Sequence, residues 1–202
     1  MPSRRSAPRR SAKSAPAFRQ AVRSTSPVWH RLLSTVTETN RLGRLIGSVL
    51  EGGEVLALSG PLGAGKTALV RGIATGLGAP ARAVSSPTFV LLHEYRGRVP
   101  LVHVDLYRLT AQGEAESIGL GDYLSGQTVV AVEWAEKAPH ILPDDRLELE
   151  LRHRTVQSRS IDFRATGPLS SALLARVKYG ARLARKRPGQ VRWRNLKGKA
   201  SS

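Results

Sequence analysis

Leu42, Leu45, Ile46, Val49 and Leu50 recur at steps of three and four residues, which places them on one stripe of a helix. The pattern predicts a helix that starts after a Thr37 or Thr39 cap and stops at Gly52-Gly53. The period then changes. Val55-Leu56-Ala57-Leu58 is an unbroken apolar run of strand type, and Ala68 to Ala74 reads as a helix that ends near Gly76-Leu77-Gly78. Ser85-Ser86-Pro87-Thr88 predicts a turn before a strand from Phe89 to Tyr95, and Gly97 a second turn. Leu101 to Asp105 and Thr128 to Glu133 are apolar runs that each close on a carboxylate, as interior strands do when they reach the sheet edge. Ala111 to Ser117 lies between them as a short helix. Leu147, Leu149 and Leu151 alternate with Arg146, Glu148 and Glu150, a half-exposed strand for Ser160 to Ala165 to pair with. Together these predict a single α/β domain, with a mixed, partly parallel sheet flanked by helices and a site at the strands' carboxyl ends. No internal repeat is evident.

Charge redraws the boundaries. The formal charge of +17 suggests a nucleic-acid binder until it is mapped along the chain. Residues 1–37 carry eight Lys/Arg and residues 163–202 carry eleven, with no acidic residue in either segment. Thirteen basic and fifteen acidic residues remain in 38–162, so a core near −2 lies between flanks worth +19. Prolines 2, 8, 16 and 27 stand among Ser, Ala and Arg without hydrophobic periodicity, which predicts disorder. The expected organisation is a disordered basic extension over 1–31, a domain over 32–167 and a basic tail over 168–202, part of it helical through Leu169, Leu173, Leu174 and Val177. The acid-free, Arg- and Ser-rich start also has the composition of an organelle transit peptide. The chain has no cysteine, so disulfides, thiolate zinc sites and a cysteine nucleophile are excluded. No apolar run approaches the ~18 residues of a membrane span, and no secretory signal pattern is present. A soluble, cytoplasmic protein without membrane contact is expected.

Gly60-Pro61-Leu62-Gly63-Ala64-Gly65-Lys66-Thr67 fills every fixed position of the G-x-x-x-x-G-K-[ST] phosphate loop, between a predicted strand and a predicted helix. Glycines 60, 63 and 65 permit positive φ and close backbone approach, so that successive N–H groups converge on phosphate oxygens. Lys66 supplies charge for the β- and γ-phosphates, Thr67 a hydroxyl for Mg²⁺, and the helix N-terminus a partial positive charge. Phosphoryl transfer also needs a carboxylate to hold the metal, directly or through water. Glu133 is the first candidate, and Asp105 is assigned to positioning water or sensing the nucleotide. Thr88 is placed as a switch residue for the γ-phosphate, with a turn-capping hydroxyl as its plain alternative. Trp134 either covers the nucleotide or belongs to the core. The guanine-reading Asn-Lys-x-Asp is absent, which favours ATP. No His-x-x-x-His pair occurs, and a transition-metal site is not expected.

Five blocks in order, Gly60 to Thr67, Ser86-Pro-Thr-Phe89, His103-Val-Asp-Leu-Tyr-Arg-Leu109, Ile118-Gly-Leu-Gly-Asp-Tyr123 and Glu133-Trp-Ala-Glu136, resemble the bacterial tRNA threonylcarbamoyladenosine biosynthesis ATPase family, TsaE, from about 37 to 163. The resemblance implies a small Mg²⁺-dependent ATPase, weak alone, that supports modification of adenosine 37 in tRNAs reading codons that begin with A. It further implies docking on a transferase complex of two ASKHA-fold subunits, with ATP hydrolysis resetting that machine. By position, Leu62, Gly63, Ala64, Gly65, Lys66 and Thr67 match the phosphate contacts, Thr67 and Glu133 the metal ligands, and Glu136 a residue near the nucleotide. Lys66, Thr88, Asp105 and Glu133 match the functionally required positions, and Thr37 and Arg159 further ATP contacts. Contact with tRNA is expected to be indirect or through the basic tails. Two rivals remain: a small-molecule kinase built on the same loop, and a nucleic-acid binder for which nucleotide is incidental.

Overall fold

The computed structural model describes residues 29–80, 87, 91–109, 119–124 and 126–186. The expected helix at Ala111 to Ser117, Thr88 and the first two residues of the expected Phe89 strand lie outside them. In chain order the elements are β1 (Trp29–Leu33), α1 (Val36–Val49), β2 (Val55–Ser59), α2 (Lys66–Leu77), β3 (Leu92–Tyr95), β4 (Leu101–Asp105), the single turn α3 (Gly121–Leu124), β5 (Val129–Glu133), two 3₁₀ turns (Ala135–Lys137, Pro139–Ile141), β6 (Leu147–His153), β7 (Arg159–Ala165) and α4 (Pro168–Lys186). The strands form one sheet in the order β1-β7-β6-β2-β5-β4-β3. β2 pairs in parallel with both β5 and β6, and β4 in parallel with β5. The remaining pairs are antiparallel, so this is the mixed α/β sheet of a single domain. No described helix is long and apolar enough to cross a membrane.

One face of the sheet carries the main core. Leu56, Leu58, Leu101, Val129, Ala131, Leu147, Leu149 and Phe163 bury there against Ile46, Leu69, Ile73, Leu173 and Val177 of the three long helices. The opposite face, with Val55, Ala57, Val102, Val104, Val130 and Val132, is covered by the 3₁₀ turns and the α3 region.

Helix α1 starts earlier than its expected Thr37 or Thr39 cap. Thr35 is the N-cap: its Oγ1 accepts the Glu38 amide at 3.1 Å, and Glu38 in turn accepts the Ser34 amide at 2.6 Å. Along its length α1 lies against α2 with almost no side-chain spacer. A Cβ on Gly47 would fall 2.1 Å from the Ile73 carbonyl oxygen, and one on Gly72 would fall 2.4 Å from that of Asn40. Glycine at both positions therefore lets the two backbones touch, which fixes the helix that carries the phosphate loop's lysine.

The edges differ from the sequence expectation. Strand β1, residues Trp29–Leu33, lies partly before the expected boundary at 32 and pairs antiparallel with β7, Trp29 opposite Phe163. Helix α4, expected to belong to a tail beyond 167, packs Leu173, Leu174, Val177 and Ala181 into the main core. Arg176 ties it down through Glu54 at 2.7 Å and the Val49 carbonyl at 3.0 Å.

Candidate functional site

Parallel register brings the strand ends together. Glu133, the last residue of β5, lies between Leu58 of β2 and Asp105 of β4, on the edge from which the chain leaves β2 into the loop at Gly60. The loop glycines have φ of 131° at Gly60, 76° at Gly63 and 101° at Gly65. Gly60 is also pressed against β6, where a Cβ would fall 2.1 Å from the Leu151 carbonyl oxygen. No side chain caps α2 at Gly65, and Leu62 stands at the tip, 71% exposed. His153 of β6 reaches the Leu62 carbonyl at 3.2 Å.

The side chains expected from sequence converge here. Thr67 donates its hydroxyl to Glu133 Oε2 at 3.0 Å. The other oxygen of Glu133, Oε1, is 2.8 Å from His103 Nε2, and both groups are buried. Lys66 is buried with its ammonium on the carbonyls of Gly60 at 2.7 Å and Pro61 at 3.0 Å. It also lies 3.7 Å from the centroid of the Trp134 ring. Burial pulls the Lys66 ammonium below its usual range, while Glu133, Glu136 and Asp105 pull it the other way. Asp105 accepts the Tyr107 amide at 3.0 Å. Together Leu62, Gly63, Lys66, Thr67, Asp105 and Glu133 line a cavity of about 280 Å³ that Trp134 and Tyr107 close on one side.

Trp134 sits at φ 59°, a left-handed conformation that bulky residues rarely adopt. That turn breaks β5 and swings the indole from the sheet onto Lys66 and against Tyr107, whose ring centroid is 5.1 Å away. It also directs Glu136 toward the loop. Burial pushes the Glu136 carboxyl above its ordinary value, although hydrogen bonds from the Glu136 and Gly60 amides and the charges of Lys66 and Lys137 oppose this. Its Oε2 is buried without a hydrogen-bond partner. Glu136 also lines a larger groove of about 720 Å³ on the opposite sheet face, walled by the paired charges of β6 and β7.

The outer positions are placed unevenly. Buried Arg159 lies against the loop, its guanidinium within 3.5 Å of where a Gly65 Cβ would stand, and donates to Thr39 Oγ1 at 3.2 Å. Thr39 rather than Thr37 is thus the α1 threonine that meets Arg159; Thr37 stays exposed on the first helical turn. Ala64 is fully buried and donates its amide to Pro61. His103 was not singled out in the sequence as a partner of Glu133. The available signal was its spacing of two from Asp105, which puts both residues on one face of β4.

A donor hydroxyl and a carboxylate 3.0 Å apart beside a buried ammonium suit a hard divalent cation bound with a phosphate chain. In comparisons with known proteins, residues 33–161 match the family described as threonylcarbamoyl adenosine biosynthesis protein TsaE. The chain is 42% identical over 131 residues to the tRNA threonylcarbamoyladenosine biosynthesis protein TsaE of Bacillus subtilis, covering 64% of this chain and 81% of that one. It is 45% identical over 130 residues to the Streptomyces coelicolor protein of the same name, covering 57% and 86%. Its fold is similar to the crystal structure of Bacillus subtilis YdiB, with a TM-score of 0.66 and 31% identity over 78% of this chain and 99% of that one.

Proposed function

The chain belongs to the TsaE family of threonylcarbamoyl adenosine biosynthesis proteins, with a role in that modification of tRNA, and from that premise we propose that it is a Mg²⁺-dependent ATPase. It acts as an accessory subunit of the complex of two ASKHA-fold proteins that transfers the threonylcarbamoyl group, and its hydrolysis of ATP resets that complex. The observation that carries the reading is the Thr67–Glu133 pair set beside Lys66 under a phosphate loop.

Each residue has a distinct duty. The backbone of Leu62 to Thr67 cradles the phosphates, and Lys66 moves its charge from neutral carbonyls to the phosphoryl oxygens. Thr67 and Glu133 would hold Mg²⁺, which would supply positive charge to the phosphate chain. His103 fixes the Glu133 carboxylate by gripping Oε1, so that Oε2 stays aimed at Thr67. Asp105, beside Glu133, orients the attacking water. Thr88 follows the γ-phosphate as a switch residue. Trp134 and Glu136 border the nucleotide, Arg159 supports the loop at Gly65, and Thr37 is the outermost ATP contact.

The test is phosphate release from ATP, with and without the transferase complex. Lys66→Ala abolishes ATP binding, Glu133→Ala retains binding but loses Mg²⁺-dependent turnover, and the complex stimulates the parent. Equal turnover by the parent and both variants refutes the reading. Transfer of phosphate to an added nucleoside or sugar instead of water makes the protein a kinase.

A further inference from the structure

Among the described residues a groove of about 320 Å³ runs between edge strand β1 and the C-terminal half of α4, lined by Trp29, Arg31, Lys178, Ala181, Arg182 and Arg185. Four of its six residues are cations and none is an acid. Several other arginines have acidic partners: Arg146 with Glu148, Arg152 with Glu150 and Asp162, Arg176 with Glu51 and Glu54. None of the four groove cations is in an ion pair among the described residues. The Arg31 guanidinium lies over the Trp29 ring, 5.4 Å from its centroid, and its buried Nε has no hydrogen-bond partner.

Cations near a helix C-terminus are favoured by the helix dipole, which accounts for Arg185. It does not account for Arg31 on the facing strand or for Lys178 two turns earlier. Lys178, Arg182 and Arg185 are spaced by four and three residues, so they form one stripe over about 10 Å of helix facing β1.

Tertiary structure adds a convergence that the sequence conceals. Trp29 and Arg31 of β1 and the C-terminal half of α4 form the two walls of this groove. In the sequence, seven Lys/Arg precede Trp29 and five follow Lys186, with no acid in either segment.

We propose that the β1/α4 groove is a docking surface for the phosphate backbone of RNA, tRNA in this chain's setting. The choice of RNA among polyanions rests on the role in tRNA modification stated above. A concave, cation-lined slot with a cation on its strand wall suits a chain of phosphates that enters it, whereas a flat lipid surface meets only its rim.

The test uses the full chain and a fluorescein-labelled tRNA that reads a codon beginning with A, followed by anisotropy across a KCl series without nucleotide. The parent binds with an affinity that falls steeply with salt. Arg182→Glu/Arg185→Glu, at two exposed positions, weakens binding at least tenfold at about 0.1 M salt and lowers the slope of the log–log salt plot by about 2. Arg41→Glu/Arg44→Glu, at exposed positions of α1, stays within about twofold of the parent. Mg-ATP calorimetry on the same variants reports folding and stays at the parent's value, so a failure of RNA docking is separable from a failure of the ATPase reading. Where the reversal prevents folding, Arg182→Gln/Arg185→Gln carries the test. The proposal is overturned by a parent that does not bind tRNA, by unchanged affinity in the groove variants, by an equal loss in the α1 control, or by tighter binding to phosphatidylglycerol vesicles than to tRNA.

Discussion

Glu136 and His103 show how much a single buried group near the loop controls. The folded protein holds the Glu136 carboxyl above its ordinary value, chiefly through burial, so the folded state binds that proton more tightly than the unfolded chain. Stability from this group is therefore present below the unfolded value of 4.5 and is lost as pH rises through the higher folded value. Glu136→Gln, which cannot ionise, should melt at a higher temperature than the parent at neutral pH. That gap should close as the pH falls below about 4.5, a comparison that a pH series of thermal melts makes directly. For His103 the question is geometry. Removing one partner of a buried polar pair costs about 1–3 kcal/mol, so His103→Ala should lower stability and raise the Mg²⁺ concentration needed for turnover. His103→Gln, whose amide reaches the place of Nε2, should recover most of the Mg²⁺ response; a Gln variant as impaired as the Ala variant would mean that bulk, not the contact with Glu133, matters.

Contacts between elements depend on residues whose value is invisible locally. Gly47 sits in the last turn of α1, where its propensity is poor, and its role appears only against Ile73 of α2. Gly47→Ala forces the α1 and α2 backbones apart and should destabilise the protein by about 1–3 kcal/mol in denaturant titrations, the usual range for overpacking. Gly121→Ala, with nothing within 4 Å of the added methyl, is the matched control and should be nearly neutral. Helix α4 has a comparable long-range dependence. Asp145, more than twenty residues upstream, accepts the Leu169 amide at 2.7 Å and the Ser170 amide at 2.9 Å. Burial raises its carboxyl, but those amides and the Ser170 hydroxyl prevail and hold it below the usual value. Asp145→Ala should cost about 0.5–2 kcal/mol, the range for a lost helix cap. The loss should begin to shrink as pH falls past about 3.8, where the unfolded carboxyl takes up its proton, and vanish below the lower folded value.

At the scale of the molecule, α4 is part of the core and not an appendage. Leu173, Leu174 and Val177 are buried, and each such side chain contributes roughly 1.5–3 kcal/mol. Their sum approaches the whole stability of about 5–15 kcal/mol typical of a domain. A chain ending at Gly167 should therefore lack a cooperative thermal transition, with the full chain as reference by circular dichroism. An unchanged melting temperature would show that α4 merely rests on the sheet. The charge of the last forty residues, eleven Lys/Arg and no acid, hid this.

Local chemistry was legible wherever it depends on consecutive residues. The loop from Gly60 to Thr67, the helix after it, the apolar strands ending in Asp105 and Glu133 and the alternating strand at 147 follow from φ preferences and apolar period, which are properties of short segments. Tertiary structure alone decided which strands are neighbours. That choice set Glu133 between Thr67 and His103, brought Arg159 to Gly65, caps α4 with Asp145 and sets Arg31 across from Arg185 in one groove. Each of these contacts spans from twenty-four to more than a hundred and fifty residues of chain, and its geometry is set by how the sheet orders its strands and the helices pack on it, a cooperative result that no local pattern encodes.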